Sequence, residues 1–379
     1  MRSVARTAVA VLVAAALIAI GLIWDIAWHR SVGRDTFWTP PHMVEYAAAI
    51  IVGAGCGRLI LRSSLWGTDA ERGAMVRFWG FSGPLGAWVA VWGSLAMLVS
   101  APFDNWWHNA YGLDVKIVSP PHMLLGAGMT AIIVGAWLMT LSEQNRTAER
   151  HQRFAIVFAV ASAILLLMIV TITMEYTGFP NLWRSRVFYL VAAGFFPFVL
   201  AAAARSGRLR WPATVTAAIF MLTSLALSWV LQQVAATPKL APINNPITHL
   251  VAAPFPVALI VPAVVFDGLQ HRLGTGRDWR LALLFGAGFV VALLAVSWPL
   301  SAFLLSPAAR NPVFLADQWD FSIRPGPWQY QYWEDLRGGR AAAGGGIAFV
   351  RVLLIAALLA AASSRVGLGL GSWMRKVKR

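Results

Sequence analysis

The sequence predicts an all-α protein: a polytopic integral membrane helical bundle of about ten transmembrane helices, with both termini cytoplasmic. Three observations predict it. Of 379 residues, 58% are hydrophobic and only 12% are charged, against about a quarter charged in soluble domains. Apolar runs near the ~20 residues that cross a bilayer as a helix recur along the whole chain. Basic residues gather on alternate connections between those runs.

The first run, TAVAVLVAAALIAIGLIW, follows Arg2 and Arg6 and predicts a helix over about 5–27. It is long for the apolar core of a signal peptide, so the expectation is that it stays as the first span. Pro40 and Pro41 suit the first turn of the second helix, about 43–61. Further spans follow at about 79–101, 121–141, 154–174, 186–204, 212–232, 248–266, 280–304 and 345–363. All are expected to be helices, because an open sheet edge leaves backbone polar groups unpaired in lipid. Four regions result: a duplicated half over 1–141, further spans over 142–304, a Trp/Tyr-rich outer loop over 305–344, and a final span with a basic tail over 345–379.

Charge sets the orientation. The connections after the second, fourth, sixth and eighth spans, with both termini and the adjoining helix ends, carry 20 Lys/Arg and 6 Asp/Glu; the other side carries 11 and 10. The basic side is expected to face the cytoplasm. The other side faces outward, toward the periplasm if the membrane is a bacterial inner membrane. The net charge of +15 is thereby explained by topology, and no nucleic-acid partner is expected. Cys56 is the only cysteine, so no disulfide forms within the chain, and any metal must be held by nitrogen and oxygen. The outer loop, with ADQWDF and RPGPWQYQYWED, is too aromatic to read as disordered. It reads as an interfacial cap or a partner-docking surface.

Chemistry concentrates in an internal repeat. DIAWHRSVGRDTFWTPPHM starts at Asp25, and DNWWHNAYGLDVKIVSPPHM starts at Asp104. Each has an aspartate, a histidine four residues on, a glycine four further, a second aspartate, and a closing PPHM. The copies lie 79 residues apart and predict a duplicated helix–loop–helix unit. Residues four apart share one helix face, about 6 Å apart along the axis. Asp25 and His29 therefore converge at the outer end of one helix. A tight loop returns His42 above them in the first turn of the next. Asp104, His108 and His122 repeat the arrangement. Two imidazoles and a carboxylate make a common ligand set for copper, zinc or non-haem iron. Asp35 and Asp114 are candidates to accept a bond from an imidazole N–H behind the ligands, and Arg34 to offset local negative charge. Glu175 and His249, at outer helix ends, are further candidates. The nearby serines, Ser31 and Ser119, read as loop residues.

Asp-x3-His-x12-His, set in DIAWHRSVGRDTFWTPPHMVEY, resembles a copper-site motif of the copper membrane monooxygenases, the particulate methane, ammonia and short-chain hydrocarbon monooxygenases. The motif belongs to one of their membrane-embedded subunits. Asp25, Trp28, His29, Arg34, Asp35, Thr36, Thr39, Pro40, His42 and Tyr46 match that pattern in order. The same family subunit has a second site of Asn-x3-His-x13-His type. Asp104, His108 and His122 fall at that spacing, with Asp104 in place of the asparagine. The resemblance covers about residues 20–135. The later spans and the outer loop have no counterpart in it. The soluble copper-binding region that another subunit of the family carries is lacking here.

The resemblance implies copper as cofactor and O2-dependent oxidation of a small apolar substrate, a hydrocarbon or an ammonia-like molecule, acting through the metal sites. It implies other membrane monooxygenase subunits as partners; a homo-oligomer is the other arrangement left open. A copper-handling or accessory membrane protein without oxygenase chemistry is the alternative function. A transporter would place charges near the centre of a span, and these carboxylates cluster at helix ends. No general base for a zinc hydrolase is evident.

Overall fold

The structure is a computed structural model that describes residues 2–33, 38–112, 119–146, 148–239, 248–274, 276–315 and 346–378. Among the described residues, nine helices are long and apolar enough to cross a membrane. The protein is an all-α, multi-pass membrane protein in contact with a lipid bilayer. Large apolar side chains such as Ile50, Ile51, Val291, Leu354 and Leu358 are exposed on its helices, as lipid contact requires.

The chain forms two compact units. One comprises Met1–Asp25, Arg34–Leu165 and Met374–Arg379; the other comprises Ile26–Gly33 and Leu166–Trp373. The long helix α1 (Arg2–Ser31) contributes to both.

The first unit continues with α2 (Pro40–Trp66), the short α3 (Asp69–Gly73), a hairpin of β1 (Val76–Phe78) and β2 (Phe81–Gly83), then α4 (Leu85–Tyr111), α5 (Pro120–Arg146) and most of α6 (Ala148–Ile172), whose last residues belong to the second. Both repeat helices begin on the prolines expected to start them. The hairpin is a departure from the expected helix over 79–101. Val76 pairs with Gly83 and Phe78 with Phe81, around Trp79 and Gly80, both at positive φ (48° and 84°). Two left-handed residues make the tight turn that suits strand twist. Aromatic and β-branched residues hold the short ladder, and the helix starts only after Pro84.

α4 and α5 pack backbone to backbone. A Cβ added at Gly93 would sit 2.7 Å from the Gly128 carbonyl oxygen, and one at Gly128 would sit 2.8 Å from that of Gly93. Gly86 and Gly135 oppose each other in the same way two turns away. Small residues allow this approach, and in lipid such packing takes the place of a hydrophobic driving force between helices. α2 joins α4 through the Ser94 hydroxyl, which donates to the Ala49 carbonyl at 2.6 Å.

The second unit contains α7 (Met174–Thr177), a 3-10 turn at Pro180–Arg184, α8 (Arg186–Ser206), α9 (Pro212–Leu231), α10 (Ile260–Leu273), α11 (Asp278–Leu304), a 3-10 turn at Pro307–Ala309, and α12 (Ile347–Met374). The span expected over 248–266 is not one helix. Residues 250–258 carry no helical structure, and α10 begins at Ile260. Pro254 and Pro256 lack the N–H a helix needs at these positions. The freed backbone finds other partners. Leu250 N–H donates to Val234 at 2.9 Å, Val251 N–H donates to the Ser31 hydroxyl at 2.6 Å, and Ser228 donates to the Ala253 carbonyl at 3.1 Å. Irregular backbone is tolerated at such depth only when paired in this way. Asp267 of α10 accepts from the Thr214 N–H and hydroxyl, both at 2.8 Å, and from the Ala213 N–H at 3.3 Å. It thereby caps the start of α9, where free N–H groups and the helix dipole favour an anion.

Candidate metal centres

Two clusters stand out among the described residues. Asp25, His29 and His42 offer one ligand atom each, all within 4.8 Å of one another; Asp104, His108 and His122 do the same.

The second cluster shows how the sequence builds such a group. α4 runs unbroken to Tyr111, ten residues past the expected end of its span, so Asp104 and His108 lie one turn apart on a helix. Their separation is 3.2 Å, from Asp104 Oδ2 to His108 Nε2. The glycine contacts lock α4 and α5 antiparallel, and that register brings the first turn of α5 to the last turns of α4. His122 Nε2 stands 3.3 Å from Asp104 Oδ1. One carboxylate thus meets an imidazole on each oxygen. The outer ring nitrogens are occupied elsewhere. His122 Nδ1 is 3.0 Å from the Ser119 hydroxyl, and His108 Nδ1 is 3.4 Å from the Gly112 carbonyl. This arrangement turns both Nε2 atoms toward the shared carboxylate, as outer hydrogen bonds commonly orient ligating histidines. Gly112 ends α4 at φ 96° and Gly33 follows α1 at φ 89°. The repeat keeps glycine there because a side chain would be strained.

In the first cluster, Asp25 and His29 are one turn apart on α1. His42 reaches Asp25 from α2, Nε2 to Oδ1 at 3.2 Å. α1 and α2 approach closely at Gly21, where an added Cβ would lie 2.7 Å from Glu45 Cγ. The ligand side chains are partly buried: 16% exposed for Asp25 and 20% for His42, against 24% for Asp104, 15% for His108 and 26% for His122.

Each cluster could hold a metal ion, since each residue offers one donor atom and the three donors lie within 4.8 Å of one another. The donor set of two imidazoles and a carboxylate suits copper, zinc or non-haem iron. Three protein ligands leave a position for a further one.

Other expected residues lie elsewhere. Glu175 is exposed in α7 and its charge acts on Arg30, whose guanidinium also lies over the Phe179 ring at 5.4 Å. His249 is exposed at the start of the non-helical segment, bonded through Nδ1 to the Thr248 hydroxyl at 2.9 Å. Neither belongs to a three-ligand cluster among the described residues. The prolines that break the eighth span put His249 ahead of a non-helical segment rather than in a helical first turn. Arg34, Asp35 and Asp114 lie outside the described residues, as does most of the outer loop.

Three residues have surroundings that the sequence did not suggest. Ser119 reads as a loop serine, yet it stands immediately before α5 and bonds His122. Its signal was the Ser-x2-His spacing at a proline-started helix. Ser31 likewise ends α1, donating to the Ala27 carbonyl and accepting from Val251, both at 2.6 Å. Glu45, one turn into α2 from His42, is 1% exposed. Its His-x2-Glu spacing puts it on the ligand face of that helix.

No family model, curated protein or solved structure matches the chain.

Proposed function

We propose that the protein is a copper-binding membrane protein with two metal centres per chain, of the kind found in the membrane-embedded part of a copper membrane monooxygenase. The observation that carries this reading is the doubled cluster: two sets of one carboxylate and two imidazoles, each with ligand atoms within 4.8 Å, on repeated helix pairs. One such group is often a hydrogen-bonded surface. Two built from the same spacings argue for a shared ligand.

In this reading each aspartate holds two imidazoles in position and supplies the anionic donor. Ser119 fixes the ring of His122. The surrounding Trp and Tyr side chains give an apolar approach from the bilayer. Bound copper would supply O2 activation and electron transfer, and the substrate class is a small apolar molecule such as a hydrocarbon or an ammonia-like amine. The bias of basic residues supports, within this reading, cytoplasmic termini and both centres on the periplasmic face of a bacterial inner membrane. Other monooxygenase subunits or further copies of the chain would complete the assembly.

A second reading, copper handling without oxidation, is favoured by the 15–26% exposure of the ligand side chains, which leaves them reachable for ion exchange. Metal analysis of detergent-purified protein tests the common core of both readings. Wild type is expected to carry two copper ions per chain, and His29→Ala/His108→Ala fewer than half as many. Equal metal content in the two proteins overturns it. Copper-dependent product formation, lost on Asp25→Ala and on His42→Ala, separates oxidation from handling.

A further inference from the structure

The two clusters differ in what lies one turn deeper. In the first, Glu45 follows His42 by three residues on the same face of α2. It is 1% exposed, and its Oε1 is buried with no hydrogen-bond partner among the described residues. Its charge interacts with both Asp25 and His42. In the second cluster the corresponding residue, three after His122, is Leu125.

An unpartnered buried carboxylate is costly. The described surroundings of Glu45 explain how it is housed but offer Oε1 no donor. Its Cγ packs against Gly21 on α1, one turn below Asp25, where any larger residue would collide with it. Asp25 stands one turn along α1 from Gly21, and His42 one turn along α2 from Glu45. Glutamate has three side-chain torsions, and its carboxylate can be turned toward that pair. A cation held by Asp25 and His42 would give it a partner there.

We propose that Glu45 is a fourth ligand of the first centre, drawn up from below when a divalent metal ion binds, so that the first centre has two carboxylates where the second has one. The inference rests on the reading that both clusters bind metal. The added anionic donor makes the first centre the tighter of the two, because affinity for a divalent ion rises with ligand charge and number. The two centres then fill in order: the first stays loaded, and the second exchanges its ion.

The test is a Cu²⁺ titration of metal-stripped, detergent-purified full-length protein against a competing chelator. Single centres are isolated by His108→Ala, which leaves the first, and His29→Ala, which leaves the second. The first centre is expected to bind at least about ten-fold more tightly than the second. Glu45→Gln, which keeps the shape of the side chain, is expected to remove most of that difference in the His108→Ala background. It should leave the His29→Ala background unchanged. The copper electron paramagnetic resonance spectrum of the first centre should shift as an oxygen donor is lost, and Glu45→Asp should recover part of the affinity. Leu125→Glu should tighten the second centre. Unchanged affinity and spectrum of the first centre on Glu45→Gln overturn the proposal, as does an equal loss at both centres, which would mark a structural role. If the wild-type protein binds no Cu²⁺, the underlying two-centre reading fails instead.

Discussion

The two repeat hairpins, α1/α2 and α4/α5, carry the same candidate ligands at nearly the same spacing, yet the surroundings of those residues differ. α4 and α5 are held by reciprocal glycine contacts along two turns. Their cluster is trimmed from the outer side: Ser119 bonds His122, and the Gly112 carbonyl faces His108. In α1/α2, Gly21 admits the partner helix, and it does so around a carboxylate rather than a backbone. The residue matching Ser119 is Thr39, whose hydroxyl is buried and makes no capping bond. The first copy thus has a buried carboxylate, Glu45, one turn along α2 from its histidine, and the second has a hydroxyl, Ser119, bonded to its histidine. The matching Asp and His residues are alike in the two copies, and the residues behind them differ.

The largest effect should come from breaking the helix contact that positions the second copy. Gly128→Leu would push α4 and α5 apart, at a cost of about 3 kcal/mol or more for overpacking. His122 would then move away from Asp104 and His108. The expected result is loss of the second copper ion with the first retained, measured as metal content per chain, and a lower unfolding midpoint in detergent. Retention of both ions would mean that the second cluster does not depend on the glycine register.

Asp104→Asn should act less. It keeps the shape of the ligand and removes its charge, as the asparagine does in the family that this motif resembles. Copper affinity at the second centre is expected to fall on the order of ten-fold, while that of the first stays as it was. Outside the repeat, Asp267→Ala should lower stability by roughly 1 kcal/mol through loss of the α9 cap without altering copper content, which separates a structural carboxylate from a ligating one.

Much of this was readable from the sequence because it depends on spacing. The helical i,i+4 relation of Asp25 with His29 and of Asp104 with His108 needs only an unbroken helix. The return of His42 and His122 needs only a proline-started helix after a short loop. What escaped depends on tertiary context. The ends of α1 and α4 run past the apolar stretches, since helix hydrogen bonding continues into the polar rim where hydropathy no longer reports it. Pro254 and Pro256 interrupt an apolar run that hydropathy alone reads as continuous. Nothing in the sequence singles out Glu45, whose burial comes with the close approach of α1 at Gly21. Ser119 gains its role from the register of α5, which a loop assignment hides.

The smallest expected effect sharpens the comparison most. Ser119→Ala removes the bond to His122 Nδ1, and the ring is then free to rotate. Loss of an orienting partner behind a ligating histidine typically weakens binding by about ten-fold, so a decrease of that order or less is expected at the second centre alone. Thr39→Ala occupies the matching position in the first copy, where the hydroxyl makes no capping bond, and should leave copper affinity unchanged at both centres. Chelator competition on the two variants reads this directly. If Thr39→Ala weakened the first centre as much as Ser119→Ala weakens the second, the two copies would share one mode of support. The contrast between a hydroxyl bonded to one histidine and a buried carboxylate one turn from the other would then be lost.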